Sequence, residues 1–228
     1  MCAYESDAKV EAVDIRKTQS CRAGGNGLAH DNRMRFADAG VFMLNILASP
    51  GSGKTSVILA IIDALRDEFN IAVIAGDVAS SADSRKMSEQ GIAVVQVDAG
   101  DASYLDEAMV SQAIDKLDLG NLDLILVENA GNLIFPADFD LGENAKVAIL
   151  SVPEGDDKPG KYPGIFKASQ AIVLNKVDTM ALFDFDEQAF RDAVGQLNPT
   201  APIFPLSATT GQGVELFAEW IADRVHSL

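Results

Sequence analysis

Three stretches of this chain carry residues that together could hold a polyphosphate, a divalent cation and a purine base. The first runs Ala48-Ser49-Pro50-Gly51-Ser52-Gly53-Lys54-Thr55, with Ser56 after it. It sits between an apolar run (Phe42, Met43, Leu44, Ile46, Leu47) and a helical pattern (Val57, Ile58, Ile61, Ile62, Leu65). A strand that passes through a glycine-rich turn into a helix aims several backbone N–H groups and the positive helix end at one point, which suits phosphate. Gly51, Ser52 and Gly53 would form that cradle, with Ser56 in the first helical turn. Lys54 would reach the outer phosphates, and the Thr55 hydroxyl would hold Mg²⁺. Ala48 stands where the pattern G-x-x-x-x-G-K-[ST] begins with glycine, and one methyl fits there if φ stays negative.

The second stretch supplies acids. The apolar run Ile71 to Ala75 ends in Gly76 and Asp77, and the run Leu122 to Val127 closes on Glu128, Asn129, Ala130 and Gly131. Ligands of an open parallel sheet lie beyond the carboxyl ends of its strands. Asp77 and Glu128 therefore stand where carboxylates hold Mg²⁺ directly or through its waters. Gly131 lets backbone approach a γ-phosphate. Lys54, Asp77 and Glu128 are the candidate catalytic set, and Thr55, Asp77 and Glu128 the candidate magnesium ligands.

The third stretch chooses a base. Ala171 to Leu174 runs into Asn175-Lys176-Val177-Asp178, the pattern N-K-x-D. The Asp178 carboxylate can accept from the guanine N1–H and exocyclic amine, whereas adenine would leave that charge unpaired. Charge-assisted bonds of roughly 1.5–3 kcal/mol each make the preference for guanine large. Lys176 would lie along the base, and Asn175 would tie this loop to the phosphate loop. After the run Ile203 to Leu206, Ser207 and Ala208 offer backbone N–H groups to the guanine oxygen.

Positioning these loops takes a doubly wound α/β fold with a mostly parallel sheet. Strands are expected at 42–47, 71–75, 93–97, 122–127, 147–152, 171–174 and 203–206. A helix is expected from Leu28 to Ala39, another through Leu105 to Leu117, and a last one carrying Val214, Phe217, Ala218, Ile221 and Val225. The polar run from Glu154 to Gly164, rich in Gly and Pro and carrying Lys158 and Lys161, reads as a moving loop. Residues 1–26 have no durable apolar period and read as a flexible extension, leaving 27–228 as a GTPase domain with a leading helix. With 228 residues, 48% hydrophobic, the chain supports one substantial core. Eighteen basic against 34 acidic residues give a net charge of −16, which argues against general binding to nucleic acid or anionic membrane. No membrane span or secretory signal is read, so a cytoplasmic protein is expected. Cys2 and Cys21 are not expected to form a structural disulfide there. His30 and His226 lack neighbours at metal-ligand spacing.

Together these stretches resemble the hydrogenase nickel-incorporation GTPases, the HypB family of the SIMIBI-type phosphate-loop NTPases. The resemblance rests on L-N-I-L-A-S-P-G-S-G-K-T, I-A-G-D-V, E-N-A-G-N-L, P-A-D-F-D-L-G-E, S-V-P-E-G-D-D-K-P, L-N-K-V-D and L-S-A-T-T-G, which span Val41 to the C-terminus. It implies slow hydrolysis of GTP with Mg²⁺, a GTP-dependent homodimer, and work beside a small nickel metallochaperone and a hydrogenase large subunit. It also implies that Lys161 reaches toward the partner subunit's nucleotide. E-N-A-G-N-L and P-A-D-F-D-L-G-E suit this branch better than the urease-type nickel GTPases.

Where members of that family carry a Cys-His pair and a further cysteine, this chain has Ser103, Tyr104 and Phe135. These are poor or impossible ligands for Ni²⁺ or Zn²⁺. Cys2 stands alone as a candidate thiol, with Glu5 and Asp7 where some members have further cysteines. The rival reading is therefore a nucleotide-dependent scaffold or switch with no metal transfer of its own.

Overall fold

A computed structural model describes residues 10–13, 25–76, 87–88, 91–98, 104–133 and 139–228. Eight parallel strands form one sheet in the order β1-β4-β3-β5-β2-β6-β7-β8. They are β1 (Val10–Val13), β2 (Phe42–Ala48), β3 (Ile71–Ala75), β4 (Ala93–Val97), β5 (Leu124–Glu128), β6 (Ala145–Ser151), β7 (Ala171–Asn175) and β8 (Ile203–Pro205). The helices are α1 (Gly25–Ala39), α2 (Lys54–Leu65), α3 (Glu107–Ile114), α4 (Lys158–Lys161), α5 (Pro163–Ala168), α6 (Glu187–Leu197) and α7 (Val214–Val225).

All seven residues of β2 are buried, because an inner parallel strand is covered on both faces and so reads as a continuous apolar run. Its alternate residues face different layers. Phe42, Leu44, Ile46 and Ala48 join the core under α2 and α7. Met43 joins the core with α1 and α3, and Leu47 the one with α5 and α6. Asn45 falls on the second of these faces and is fully buried. The strand order reverses at β2, which lies between β5 and β6. The loops after β2, β5, β6 and β7 therefore converge on one end of the sheet, at its switch point.

Two local expectations are corrected. Val10–Val13, inside the stretch read as an extension, pairs in parallel with Val94–Val97 as an edge strand, which satisfies the backbone groups that β4 would otherwise present. The run 154–164 holds the short helix α4 and the start of α5 rather than an open loop. Pro159 and Pro163 sit in first turns, where a missing N–H leaves no bond unmade. The sequence reading also passes over α6, although Asp186 caps it by accepting from the Ala189 N–H at 2.9 Å.

Candidate nucleotide site

The phosphate loop leaves β2 at Ala48, whose fully buried methyl belongs to the core. Among the described non-glycine residues only Lys176 has a positive φ, so Ala48 carries no strain where the pattern has glycine. Gly51 and Gly53 do need glycine, with φ of 79° and 89°. At Gly53 a Cβ would also lie 2.5 Å from Asn175 Nδ2. Helix α2 starts at Lys54 with no side-chain cap, leaving its first N–H groups for an anion. The Ser52 hydroxyl is buried without a hydrogen-bond partner among the described residues.

Glu128 ends β5 directly beside this loop. Thr55 Oγ1 donates to Glu128 Oε1 at 2.5 Å, and Lys54 Nζ lies 3.6 Å from the same oxygen. Lys54 and Glu128 are both about 6% exposed as side chains, so the charges face each other away from bulk water. Two hard oxygen donors suit Mg²⁺, and the ammonium alongside suits the anionic phosphates.

Every residue of the loop from Ser49 to Ser52 is held from another strand end. Ser49 Oγ donates to Glu154 Oε1, and the other Glu154 oxygen accepts from the Ser151 N–H at 2.8 Å and hydroxyl at 2.7 Å. Pro50 packs on Gly131, where a Cβ would lie 3.0 Å from Pro50 Cγ. Lys176 Nζ donates to the Gly51 carbonyl at 2.6 Å, and Asn175 Nδ2 to the Ser52 carbonyl at 2.9 Å. Asn175 Oδ1 accepts from the Ala208 N–H at 3.2 Å, so one amide joins the phosphate loop to both base-recognition loops. Lys176 reaches its carbonyl from a left-handed backbone, φ 62°.

Ser207 is fully buried and its hydroxyl accepts from the Thr210 N–H at 3.2 Å. Asp178 is exposed in the 3₁₀ turn Val177–Leu182, and no bond to its carboxylate occurs among the described residues. Ser56 is exposed on α2 and, with Ala208, lines a groove of about 810 Å³ between α2 and α7. Thus Lys54, Thr55, Glu128, Asn175 and Lys176 come together around the loop. Asp77, Cys2, Cys21, Ser103 and Phe135 lie outside the described residues.

Tyr104 is described, and its ring stacks on Phe139 at 4.4 Å and 14°. Lys161 pairs with Asp157 at 2.5 Å. That hydrogen bond holds the Asp157 carboxyl below its ordinary range and the Lys161 ammonium above its own. Lys158 lies 5.5 Å from the Tyr162 ring centroid. Two residues that the sequence reading did not single out join the site. Glu154 had a signal in the Ser151-x-x-Glu154 capping box, whereas the buried side chain of Asn129 had none.

A family model described as the CobW/HypB/UreG nucleotide-binding domain matches residues 42–205. The hydrogenase maturation factor HypB of Escherichia coli K12 is 40% identical over 196 residues, 86% of this chain and 68% of that protein. The probable hydrogenase maturation factor HypB of Methanocaldococcus jannaschii is 38% identical over 198 residues, 87% of this chain and 90% of that protein. Among solved structures, HypB of Archaeoglobus fulgidus superposes with a TM-score of 0.85 at 35% identity, covering 89% of this chain and 99% of that one. HypB of Helicobacter pylori in complex with nickel gives 0.85 at 31%, covering 90% and 96%.

Proposed function

Because the chain belongs to the CobW/HypB/UreG family, on its HypB branch, we propose that it is a Mg²⁺-dependent GTPase that assists nickel insertion into a hydrogenase. The observation that carries this reading is Asn175. It holds the Ser52 carbonyl with one end and the Ala208 N–H with the other, so the N-K-x-D and phosphate loops can grip a single guanosine triphosphate.

The cradle N–H groups of Gly51, Ser52 and Gly53 bind the phosphates, and Lys54 places its ammonium on the outer ones. Thr55 and Glu128 would hold Mg²⁺, with Asp77 proposed as a further ligand. Mg²⁺ held there would supply positive charge against the charge that develops on the transferring phosphoryl. Lys54 stabilises the transferring phosphoryl without moving a proton. Asp178 selects guanine, Lys176 flanks it, and the N–H groups of Ser207 and Ala208 meet its oxygen. The Ala208 N–H, at 3.2 Å from Asn175, exchanges that long bond for the base. Turnover is slow, as befits a switch.

Nickel is cargo. Tyr104 is committed to an aromatic stack, and a phenol is a poor ligand for Ni²⁺, so we place nickel on a partner, a small metallochaperone, that delivers it to the hydrogenase large subunit. The active form is a GTP-dependent homodimer in the cytoplasm. No described helix is long and apolar enough to cross a membrane.

The test is turnover of GTP against ATP with and without Mg²⁺, with light scattering in GDP and in a non-hydrolysable GTP analogue. Mg²⁺-dependent GTP turnover at least 100-fold above ATP, and a dimer only with the analogue, is the expected result; it follows from roughly 1.5–3 kcal/mol per lost charge-assisted bond. Equal use of ATP would overturn the reading.

A further inference from the structure

Strand β5 carries Glu128 toward the phosphate loop and the next residue, Asn129, into the opposite layer, because successive side chains alternate. Asn129 is 1% exposed, and both acceptor sites of its amide oxygen are taken. Oδ1 accepts from the Leu105 N–H at 3.1 Å and from the Ala130 N–H at 2.9 Å. Nδ2 donates to Asn45 Oδ1 at 3.3 Å. Asn45 Nδ2 donates to Glu143 Oε1, also at 3.3 Å. Glu143 then receives the Leu141 N–H at 2.6 Å and pairs with Lys146 Nζ at 3.2 Å, and Lys146 Nζ donates to the Phe139 carbonyl at 2.8 Å. Phe139 stacks on Tyr104, the neighbour of Leu105. The contacts close a circuit that starts and ends at Asn129.

We propose that Asn129 is a positioning residue that carries the state of the Glu128 loop to the Tyr104–Phe139 pair, along one arm through Leu105 and another through Asn45 and Glu143. The proposal rests on the reading of the neighbouring site as a Mg²⁺·GTP site. When Glu128 exchanges Thr55 for a cation, the end of β5 shifts, and Asn129 shares its backbone. Asn129 in this dry interior cannot let go of Leu105 or Asn45 without leaving a buried polar group unmet, so both follow it. Leu105 also covers Gly76, where a Cβ would lie 2.5 Å from Leu105 Cγ, and the Gly76 N–H donates to the Glu128 carbonyl at 2.8 Å. Both acid-bearing strand ends therefore meet at this residue.

Hydrogen exchange on the full chain tests the proposal, without nucleotide, in Mg²⁺·GDP and in Mg²⁺ with a non-hydrolysable GTP analogue. The Leu105 and Leu141 amides donate to Asn129 and Glu143, so their exchange should differ between the two nucleotide states by about fivefold, the change that one ordinary hydrogen bond produces. Asn129→Ala should abolish both differences while 48–56 stays protected by nucleotide. Glu143→Gln should abolish only the Leu141 difference and leave nucleotide affinity within twofold, so it serves where Asn129→Ala does not fold. Exchange at Leu105 and Leu141 that ignores nucleotide while 48–56 responds would overturn the proposal. So would variants that merely speed exchange equally in every state, as a structural role predicts. If 48–56 gains no protection from any nucleotide, the reading of the site has failed, and this proposal falls with it.

Discussion

Thr55 Oγ1 and Glu128 Oε1 meet at 2.5 Å, joining the first turn of α2 to the last residue of β5. The contact holds the place that Mg²⁺ takes in the proposed mechanism, so both oxygens should be worth far more with the ion than without it. Thr55→Ala is expected to cut Mg²⁺-dependent phosphate release by about 100-fold, the order found when a preorganised electrostatic group is removed. GDP affinity measured in EDTA should change little. Release within threefold of the parent would exclude Thr55 as a ligand.

Base choice should reside in Asp178. Replacing it with Asn removes a charged acceptor of two donors, worth about 1.5–3 kcal/mol per bond, so GTP affinity should fall by roughly 100-fold or more. Xanthine carries a carbonyl where guanine carries its amine, and the side-chain amide introduced by the substitution can donate to it. Competition binding should therefore show Asp178→Asn preferring xanthosine triphosphate over GTP. A variant that keeps its GTP preference would move base selection elsewhere.

Gly51 and Gly53 share a left-handed backbone but not surroundings. An added Cβ at Gly51 meets nothing within 4 Å, whereas at Gly53 it meets Asn175 Nδ2 at 2.5 Å. Gly51→Ala should carry only the backbone penalty, about 1 kcal/mol. Gly53→Ala should add a steric conflict with the amide that joins the loops, for about 2–3 kcal/mol in all. At about 2–4 °C per kcal/mol for a domain of this size, the Tm gap between the two variants should be near 4 °C. Only Gly53→Ala should weaken guanine discrimination. Equal Tm values would show that Asn175 moves aside at no cost.

The loop, Glu128 and the N-K-x-D stretch were legible because each is a strand end followed by a residue type that chemistry demands at that spot. Contacts that need the folded sheet were not. Asn129 reaches Asn45 across 84 residues, and Asn45 reaches Glu143 across 98; only the order of β5, β2 and β6 makes them neighbours. Asn45 sits in an otherwise apolar strand where side-chain type gives no hint of a partner. The run 154–164 misleads for a different reason. Its prolines and glycines suggest a loop, but Pro159 and Pro163 sit in the first turns of helices. Helix α6 carries Phe190 and Val194 inward at a spacing of four, with polar residues around them, a sparse pattern that is easily passed over.

Acid should loosen the segment before Glu143 by a defined route. Arg33 Nη2 donates to both Asp140 oxygens at 2.7 and 2.9 Å, and the Gly142 N–H donates to Oδ1 at 2.9 Å. Burial alone would raise the Asp140 carboxyl, but the Arg33 bonds, the Gly142 bond and nearby Lys146 outweigh it and hold it below the usual range. The folded-state pKa is thus depressed relative to the unfolded chain. The stability it contributes is present above the unfolded carboxylate pKa of about 3.9 and is lost as pH falls through the lower folded value. Both side chains are about half exposed, 45% and 53%, so the contribution is small after solvent screening, about 0.5–1 kcal/mol. Urea melts of Asp140→Asn and the parent should differ by that amount at pH 7 and converge as the pH falls through the depressed folded value. A difference that persists unchanged into strong acid would assign the effect to packing around Gly142, whose φ of 90° sets the turn against Asn32, rather than to the charge.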